Sequence, residues 1–155
     1  MANDRLRTVP ERLPSGVVTL VDSNVLLDIL TEDPTWSQWS GAALAAARDA
    51  GMLVINPIVY AEISVRFDRI EDLDEVIPAS DFLHEQLPYP AGFLAGKAYA
   101  KYRRQGGTKS SPIADFYIGA HAAVCAYQLL TRDSARYRSY FPRLAVVAPD
   151  SSPAV

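Results

Sequence analysis

Short apolar runs of strand type alternate along the chain with longer stretches of helical pattern. Runs rich in valine, isoleucine and leucine predict strands at residues 17–21, 52–56, 128–131 and 144–147. Residues 82–87 form either a short strand or an extended connector. Helical spacing predicts helices at residues 24–30, 35–50, 58–67, 71–77, 90–105, 113–127 and 134–141. Strands separated by helices form βαβ units, so we expect a three-layer α/β/α sandwich with a central, mostly parallel sheet.

Turn residues support these boundaries. Gly51 follows the helix at 35–50 in the usual position after a helix C-terminus, and Pro78 ends the helix at 71–77. Pro57 and Pro112 suit the first turns of the helices that follow them.

The chain has the length of one domain with a substantial core, at 155 residues. We expect residues 17–149 to form that domain and residues 1–16 and 150–155 to be loose tails, the first of which could dock on a partner. Residues 1–16 lack the apolar core of a signal peptide, and no run reaches the about 18–20 apolar residues of a membrane span. Cys125 is the only cysteine, so no internal disulfide forms, and we expect a small buried packing residue. A reducing, cytoplasmic location fits best.

Charge is distributed unevenly between the two halves of the chain. Residues 92–143 carry nine basic and two acidic side chains, a net charge of +7, whereas residues 1–91 carry six basic and fifteen acidic ones. A basic surface of this kind is typical of a protein that binds a polyanion. The two acids of the basic half, Asp115 and Asp133, stand out by their isolation.

Four acidic side chains are predicted to meet at one edge of the sheet. Asp22 directly follows the first strand, and Asp133 follows the strand at 128–131 after one residue. Asp115 lies in the first turn of its helix, and Glu62 lies one and a half turns into the helix after the second strand, leaning toward its N-terminus. Functional residues of parallel sheets collect at the carboxyl ends of strands and the adjoining helix N-termini, so all four can converge.

Each acid also has an ordinary structural explanation. The Asp-Ser-Asn triplet at residues 22–24 could simply start its helix, and Asp133 could cap the next one. Asp115 favours a helix dipole, and Glu62 could be solvated. If the four acids cluster, however, two unit charges about 4 Å apart repel by about 4 kcal/mol at an effective dielectric constant of about 20, and protons or cations must relieve them. Hard divalent cations with oxygen ligands, Mg²⁺ or Mn²⁺, are the expected occupants.

The sequence offers no set of cysteine and histidine residues with zinc spacing. His84 and His121 are isolated, and His121, six residues after Asp115, points to a different helix face. We expect neither histidine to be a metal ligand.

The four acids lie, in order, in the segments VDSNVLLDIL, NPIVYAEI, SSPIADFYIGAHAAV and QLLTRDSARYRSYF. These segments resemble the acidic motifs of the PIN-domain ribonucleases, most closely those of the VapC-type toxins of bacterial toxin–antitoxin pairs, over residues 17–149. The resemblance implies a PIN-like fold and metal-dependent hydrolysis of RNA. It also implies that Mg²⁺ or Mn²⁺ is held by Asp22, Glu62, Asp115 and Asp133.

Further expectations follow from the same resemblance. Ser23, Asn24 and Thr131 would orient ligands or water around the acids. A toxin of this type is expected to form a homodimer and to be inhibited by a VapB-like antitoxin whose peptide tail crosses the active-site groove. Trp36 and Trp39, spaced to share one helix face, are candidate antitoxin contacts, with core packing as the alternative. Family members often begin almost at the first strand, whereas sixteen residues precede it here.

The basic half supplies candidate RNA contacts on both sides of the last two acids. These side chains would attract the phosphate chain, and Tyr137 and Tyr140 would offer stacking faces to unpaired bases. Solvated helix faces are the alternative for each residue. The predicted set is Lys101, Arg103, Arg104, Lys109, Arg132, Arg136, Arg138 and Tyr137.

Three other functions compete with a toxin nuclease. A phosphatase of the haloacid-dehalogenase kind also uses an Asp after the first strand, but it needs a second Asp where this chain has Asn24. A non-catalytic RNA-binding or scaffold module would not need its acids, and all four are present. A PIN nuclease that processes RNA without an antitoxin is a milder variant. Cation-dependent RNA cleavage separates the enzymes from the scaffold.

Overall fold

The structure, a computed structural model, describes residues 16–109 and 112–149. Within these ranges the chain forms five strands and seven helices. In chain order they are β1 (Thr19–Val21), α1 (Ser23–Leu30), α2 (Ser37–Ala50), β2 (Leu53–Ile55), α3 (Pro57–Ser64), α4 (Ile70–Val76), β3 (Phe82–His84), α5 (Tyr89–Arg104), α6 (Pro112–Val124), β4 (Gln128–Leu130), α7 (Ala135–Tyr140) and β5 (Val146–Val147). The predicted tails fall almost wholly outside the described residues, and the domain boundaries stay predictions.

All five strands are parallel and form one sheet in the order β3–β2–β1–β4–β5. Every residue of β1 and β2 is buried. Leu20, Val54 and Leu129, on the three central strands, have no exposed surface, as expected for a parallel sheet that helices cover on both faces. The predicted α/β/α fold with a parallel sheet is therefore confirmed, and the segment at 82–87 contains a strand.

The direction of the chain across the sheet reverses at β1. The chain moves outward from β1 to β2 and β3, then returns to β4 on the other side of β1. The backbone N–H of Asp22 donates to the carbonyl oxygen of Leu130 at 2.9 Å, which keeps the carboxyl ends of β1 and β4 side by side. Open α/β sheets place their functional sites at such a reversal.

Helix α2 begins later than its apolar pattern predicts. The Asp33 carboxylate accepts hydrogen bonds from the backbone N–H groups of Thr35 and Trp36, at 2.8 and 2.9 Å. This turn competes with helical hydrogen bonding, so the helix starts at Ser37 rather than at Thr35. It ends, as predicted, before Gly51.

Helix α6 ends earlier than predicted, at Val124 rather than at Tyr127. Ala126 adopts a left-handed φ of 56°, and the Tyr127 N–H bonds back to the carbonyl oxygen of Ala122 at 2.8 Å. Such a turn closes a helix C-terminus. Cys125 lies beyond the last turn and is only partly buried, so the expectation of a buried packing residue is wrong.

The start of α3 is fixed by its cap. Pro57 occupies the first turn as predicted, and the Asn56 side-chain oxygen accepts a hydrogen bond from the Val59 N–H at 3.0 Å. Asn56 is 2 % exposed, so this cap belongs to the core. Within the described residues, no helix is long and apolar enough to cross a membrane.

Candidate active site

Asp22 stands at the N-cap position of α1, yet its side chain makes no capping hydrogen bond. The residue is 4 % exposed, and Oδ2 accepts hydrogen bonds from the Thr131 hydroxyl and the Tyr137 phenol, both at 2.9 Å. The Ser23 hydroxyl lies 3.4 Å from the other oxygen, Oδ1. Burial raises the pKa of Asp22, and the hydrogen bonds from Thr131 and Tyr137 offset this only in part. The side chain of Asp22 therefore does not cap α1, although the residue occupies the N-cap position.

Hydrogen bonds around Thr131 join the end of β1 to the loop after β4. The Asn24 amide donates to Thr131 Oγ1 at 3.3 Å, and the Asp133 N–H donates to the same oxygen at 3.1 Å. The Asn24 side-chain oxygen accepts from the Arg132 N–H at 3.1 Å. Ser23 and Thr131 thus contact Asp22 directly, and Asn24 acts on it through Thr131.

Glu62 reaches the same place from α3. Its Oε1 is buried and has no hydrogen-bond partner among the described residues. Burial raises the pKa of Glu62 to about 7, with further contributions from the negative charges of Asp22 and Asp115. The Ser23 hydroxyl acts in the opposite direction and is a smaller effect.

Asp115 lies in the first turn of α6, as predicted, and forms an ion pair with an arginine from α7. Its Oδ2 lies 2.5 Å from Nη1 of Arg136. Burial raises the pKa of Asp115, Arg136 lowers it, and the Asp133 carboxylate raises it again, with a net increase. Asp133 itself is exposed at the rim.

One cavity, with a volume of about 240 Å³, brings the four acids together. We call it the acidic cavity. It is lined by Asp22, Ser23, Asn24, Leu27, Glu62, Asp115, Asp133, Arg136 and Tyr137. Four carboxylates and one guanidinium line the cavity, so its side chains carry excess negative charge that protons or cations must balance.

The donor set of the acidic cavity suits a hard divalent cation. Its charged donors are all carboxylate oxygens, and His84 and His121 both lie outside its lining. Among the residues that the structure describes, no donor bonds to the buried Oε1 of Glu62, which is therefore available to a cation. Oxygen-rich sites of this kind fit Mg²⁺ or Mn²⁺ better than zinc.

The prediction that Tyr137 offers a stacking face to RNA bases is wrong. The residue is 2 % exposed, and its phenol donates to Asp22. Burial, with the nearby Asp22 carboxylate as a second cause, raises the pKa of Tyr137 well above its ordinary value, so the phenol stays a donor. This positioning contact was missed in the sequence, because it joins residues 115 positions apart.

Arg132 is not free for RNA either. Its Nε donates to Oδ2 of Asp28 at 2.9 Å, and its guanidinium lies 5.4 Å from the ring centre of Trp36. Asp28 is 3 % exposed and also accepts a hydrogen bond from the Ser40 hydroxyl at 2.8 Å. A lone acid within the apolar run of α1 was the sequence signal for this buried pair.

The two tryptophans contact different parts of the molecule. Trp36 occupies the N-cap position of α2, and only Trp39 lies within the helix. Trp39 packs partly against the core, whereas Trp36 contacts Arg132. Their role as antitoxin contacts stays a prediction.

Five members of the predicted RNA-binding set remain exposed. Among them, Arg103 donates to the Thr108 carbonyl oxygen at 3.2 Å, and Lys101 lies 5.6 Å from the ring centre of Tyr140. The exposed set is Lys101, Arg103, Arg104, Lys109 and Arg138.

Comparison with known families identifies the family to which the chain belongs. The sequence matches the PIN domain over residues 19–142. The chain therefore belongs to the PIN-domain family, whose nucleases are hydrolases that act on nucleic acids. No curated protein matches the chain.

Several solved structures share the fold. A chain of VapBC2 from Rickettsia felis, bound to a DNA fragment from its promoter, aligns with a TM-score of 0.66 and 16% identity, over 86% of this chain and 100% of that one. A chain of VapBC-1 from nontypeable Haemophilus influenzae gives 0.63 and 16%, over 85% and 98%. A toxin–antitoxin complex from Klebsiella pneumoniae gives 0.62 and 21%, over 83% and 95%. At these identities the likeness concerns the fold.

Proposed function

We propose that this PIN-domain protein is a metal-dependent endoribonuclease and the VapC-type toxin of a toxin–antitoxin pair. The observation that carries the proposal is the acidic cavity, where side chains from four separate segments meet and where Oε1 of Glu62 has no hydrogen-bond partner within residues 16–109 and 112–149. A fold that needed these acids only for capping would not bury Asp22 in a cavity that three other carboxylates also line. Such a cluster is costly unless it holds a cation.

Within this proposal, each acid has a distinct part. Asp22 would bind the cation through Oδ1, because Oδ2 is already occupied by two donors. Glu62 would contribute its unpartnered Oε1 or position the attacking water. Asp115 and Asp133, which are less buried than Asp22, would provide the remaining carboxylate ligands. The bound cation would supply a water of lowered pKa and stabilise charge on the leaving oxygen.

The protein also supplies groups that do not bind the cation. Thr131 and Tyr137 hold the Asp22 carboxylate in a fixed orientation through donated hydrogen bonds. Arg136 lines the acidic cavity and pairs with Asp115, and its guanidinium would also pair with a phosphate oxygen of a bound chain. Positioning of this kind accounts for much of the rate in phosphoryl transfer.

Five exposed basic side chains near α5 and α7 would attract the RNA backbone. If each neutralises one phosphate of a single strand, log affinity should fall against log salt with a slope of about −3.5, a loss of about 100-fold from about 50 to about 200 mM salt. Replacing both Arg103 and Arg104 with glutamine should reduce the slope by about 1.4. An RNA affinity that does not change with salt concentration would contradict the proposal that these basic side chains bind the RNA backbone.

Cleavage of end-labelled RNA, with and without Mg²⁺ or Mn²⁺, tests the enzymatic proposal directly. The wild-type protein should cut only when a cation is present. Asp22→Asn and Asp115→Asn should each lower the rate at least about 100-fold, since even changes around metal ligands cost about 10–100-fold. Asp81→Asn is the matched control, because Asp81 is paired with Arg48 outside the acidic cavity. RNA binding without cation-dependent cutting supports the scaffold alternative and contradicts the nuclease.

The toxin role rests on likeness to chains from toxin–antitoxin complexes. Co-purification with the product of a neighbouring small gene, and loss of cleavage on its addition, would support a VapB-like antitoxin.

Self-association is proposed through α5, where the side chains of Tyr89 and Phe93 are 95% and 70% exposed. Light scattering should give twice the mass of one chain, and Phe93→Glu should shift it toward a monomer. A nuclease that no neighbouring gene product inhibits would favour an RNA-processing enzyme.

A further inference from the structure

A second group of polar side chains lies outside the acidic cavity, between α6 and the end of β3. Glu85, His121 and Cys125 each offer one ligand-type atom, and these atoms lie within 4.8 Å of one another. His121 has no exposed surface, and its Nε2 lies 2.8 Å from Oε1 of Glu85. The Cys125 sulfur lies 3.7 Å from the same oxygen. At first inspection the donor set resembles a zinc site.

The neighbouring hydrogen bonds exclude a metal at His121. The Asn56 side-chain oxygen accepts from the Val59 N–H, so its amide nitrogen is the atom that faces Nδ1 of His121, at 3.1 Å. Nδ1 must therefore be the acceptor. A neutral imidazole has only one such nitrogen, so Nε2 carries the proton and donates it to Glu85. A metal on Nε2 would need the lone pair that this proton occupies.

The group is instead a directed relay of hydrogen bonds, running from the Val59 N–H through Asn56 and His121 to Glu85. Glu85 is held from two further sides. Its backbone N–H donates to the Ile55 carbonyl oxygen at 2.9 Å, and its Oε2 accepts from the Tyr127 phenol at 2.8 Å. The relay therefore connects the start of α3 and the last turn of α6 to the ends of strands in the sheet.

These two helices carry two of the four acids. Glu62 lies six residues after Asn56 on α3, and Asp115 lies six residues before His121 on α6. At about 1.5 Å per residue, each acid is about 9 Å along its helix from the relay. A small rotation of either helix at the relay is therefore carried to the acidic cavity.

We propose that Asn56, His121 and Glu85 are positioning residues that set the separation of Glu62 from Asp115 and thereby the cation affinity of the acidic cavity. The inference rests on the proposed metal-dependent function. It concerns residues that do not line the acidic cavity.

Glu85 gives the cleanest test, since two replacements both remove the charge but only one of them keeps an oxygen that can accept a hydrogen bond. In Glu85→Gln the side-chain oxygen still accepts from His121, whereas Glu85→Leu has similar size and no acceptor. Mg²⁺ or Mn²⁺ affinity, measured by calorimetry at about pH 8, should fall about tenfold in Glu85→Leu and stay near the wild-type value in Glu85→Gln. Tyr127→Phe, which removes one bond to Glu85, should give a smaller loss.

Stability must be separated from positioning. Ile77 is buried in the core at the end of α4. Ile77→Val should lower the melting temperature without changing cation affinity. If Ile77→Val loses affinity in proportion to its stability, or if folded Glu85→Leu binds like the wild type, the positioning role is overturned. If the wild-type protein cuts RNA and the cation affinity of Glu85→Leu equals that of the wild type, only the positioning role is refuted. A wild-type protein that binds no cation refutes the nuclease as well.

Nitrogen-15 NMR of the wild-type imidazole provides a second measurement that does not depend on any variant folding. The spectrum should show the proton on Nε2 of His121, and this should not change when Zn²⁺ is added. A spectrum with the proton on Nδ1, or a zinc-dependent shift of Nε2, contradicts the relay and restores the metal site.

Discussion

Glu62→Gln tests whether the acidic cavity exchanges a proton for a cation. In the metal-free protein the pKa of Glu62 is about 7, because the carboxyl is buried beside Asp22 and Asp115. A cation in the acidic cavity favours the ionised carboxylate, so binding should release the proton. The glutamine side chain has nearly the same shape and cannot release one.

The size of the effect follows from the pKa. A group with a pKa of about 7 is about one-tenth ionised at pH 6 and about nine-tenths ionised at pH 8. Mg²⁺ affinity should therefore rise about tenfold across this interval in the wild-type protein. In Glu62→Gln the affinity should be weaker throughout and should lack this rise.

The raised pKa of Glu62 also predicts how folding stability changes with pH. The pKa of Glu62 in the folded protein lies above its ordinary value of 4.5. The bound proton therefore contributes stability fully below about pH 4.5, and this contribution is lost as the pH rises through about 7. Thermal unfolding of the metal-free protein should show this loss, and saturating Mg²⁺ should restore stability at the alkaline end.

Calorimetry in two buffers with different protonation enthalpies counts the protons released on binding. At pH 7 the wild-type protein should release about half a proton from Glu62. Glu71→Gln, at an exposed position on α4, is the matched control and should behave as the wild type. Affinity that does not change between pH 6 and 8, or an equal slope in Glu62→Gln, would falsify proton–cation exchange at this carboxyl.

Three further substitutions probe the surroundings of the acidic cavity. Arg136→Gln removes the guanidinium that competes with a cation, so Mg²⁺ affinity should rise about two- to fivefold in calorimetry, whereas exposed Arg138→Gln should leave it unchanged. Tyr137→Phe removes a buried donor and should lower the free energy of unfolding by about 1–2 kcal/mol in urea titrations; an unchanged midpoint contradicts that hydrogen bond. Gly119→Ala should cost about 1–3 kcal/mol, because the new methyl group meets aromatic carbons at 2.6 Å, whereas Gly41→Ala, with nothing within 4 Å, should stabilise its helix.

The sheet and the positions of the four acids could be predicted because both follow from local pattern. A buried strand followed by a polar residue places that residue at the carboxyl edge, whatever the rest of the chain does. Asp22 and Asp133 follow strands in this way, whereas Asp115 is predicted from its place in the first turn of a helix. Glu62 was located by the lean of side chains toward a helix N-terminus.

Contacts between residues distant in sequence could not be predicted. Arg132 is predicted as an RNA contact because it adjoins Asp133 in the sequence, but its partner Asp28 lies 104 positions away. The same holds for Tyr137 and Asp22, at 115 positions. Long polar side chains take the nearest buried partner in space, and a one-dimensional pattern does not contain that distance. The end of α6 was missed for a local reason, the left-handed backbone of Ala126, which alanine rarely adopts.

The two donors on Oδ2 of Asp22 have a consequence for how the protein would handle its ion. A carboxylate with one oxygen already saturated cannot chelate, so this aspartate would grip through a single bond. One-point attachment leaves more of the coordination sphere to water and to the incoming phosphate. We therefore expect an ion at this site to exchange with the surrounding solution more readily than one that a chelating aspartate holds.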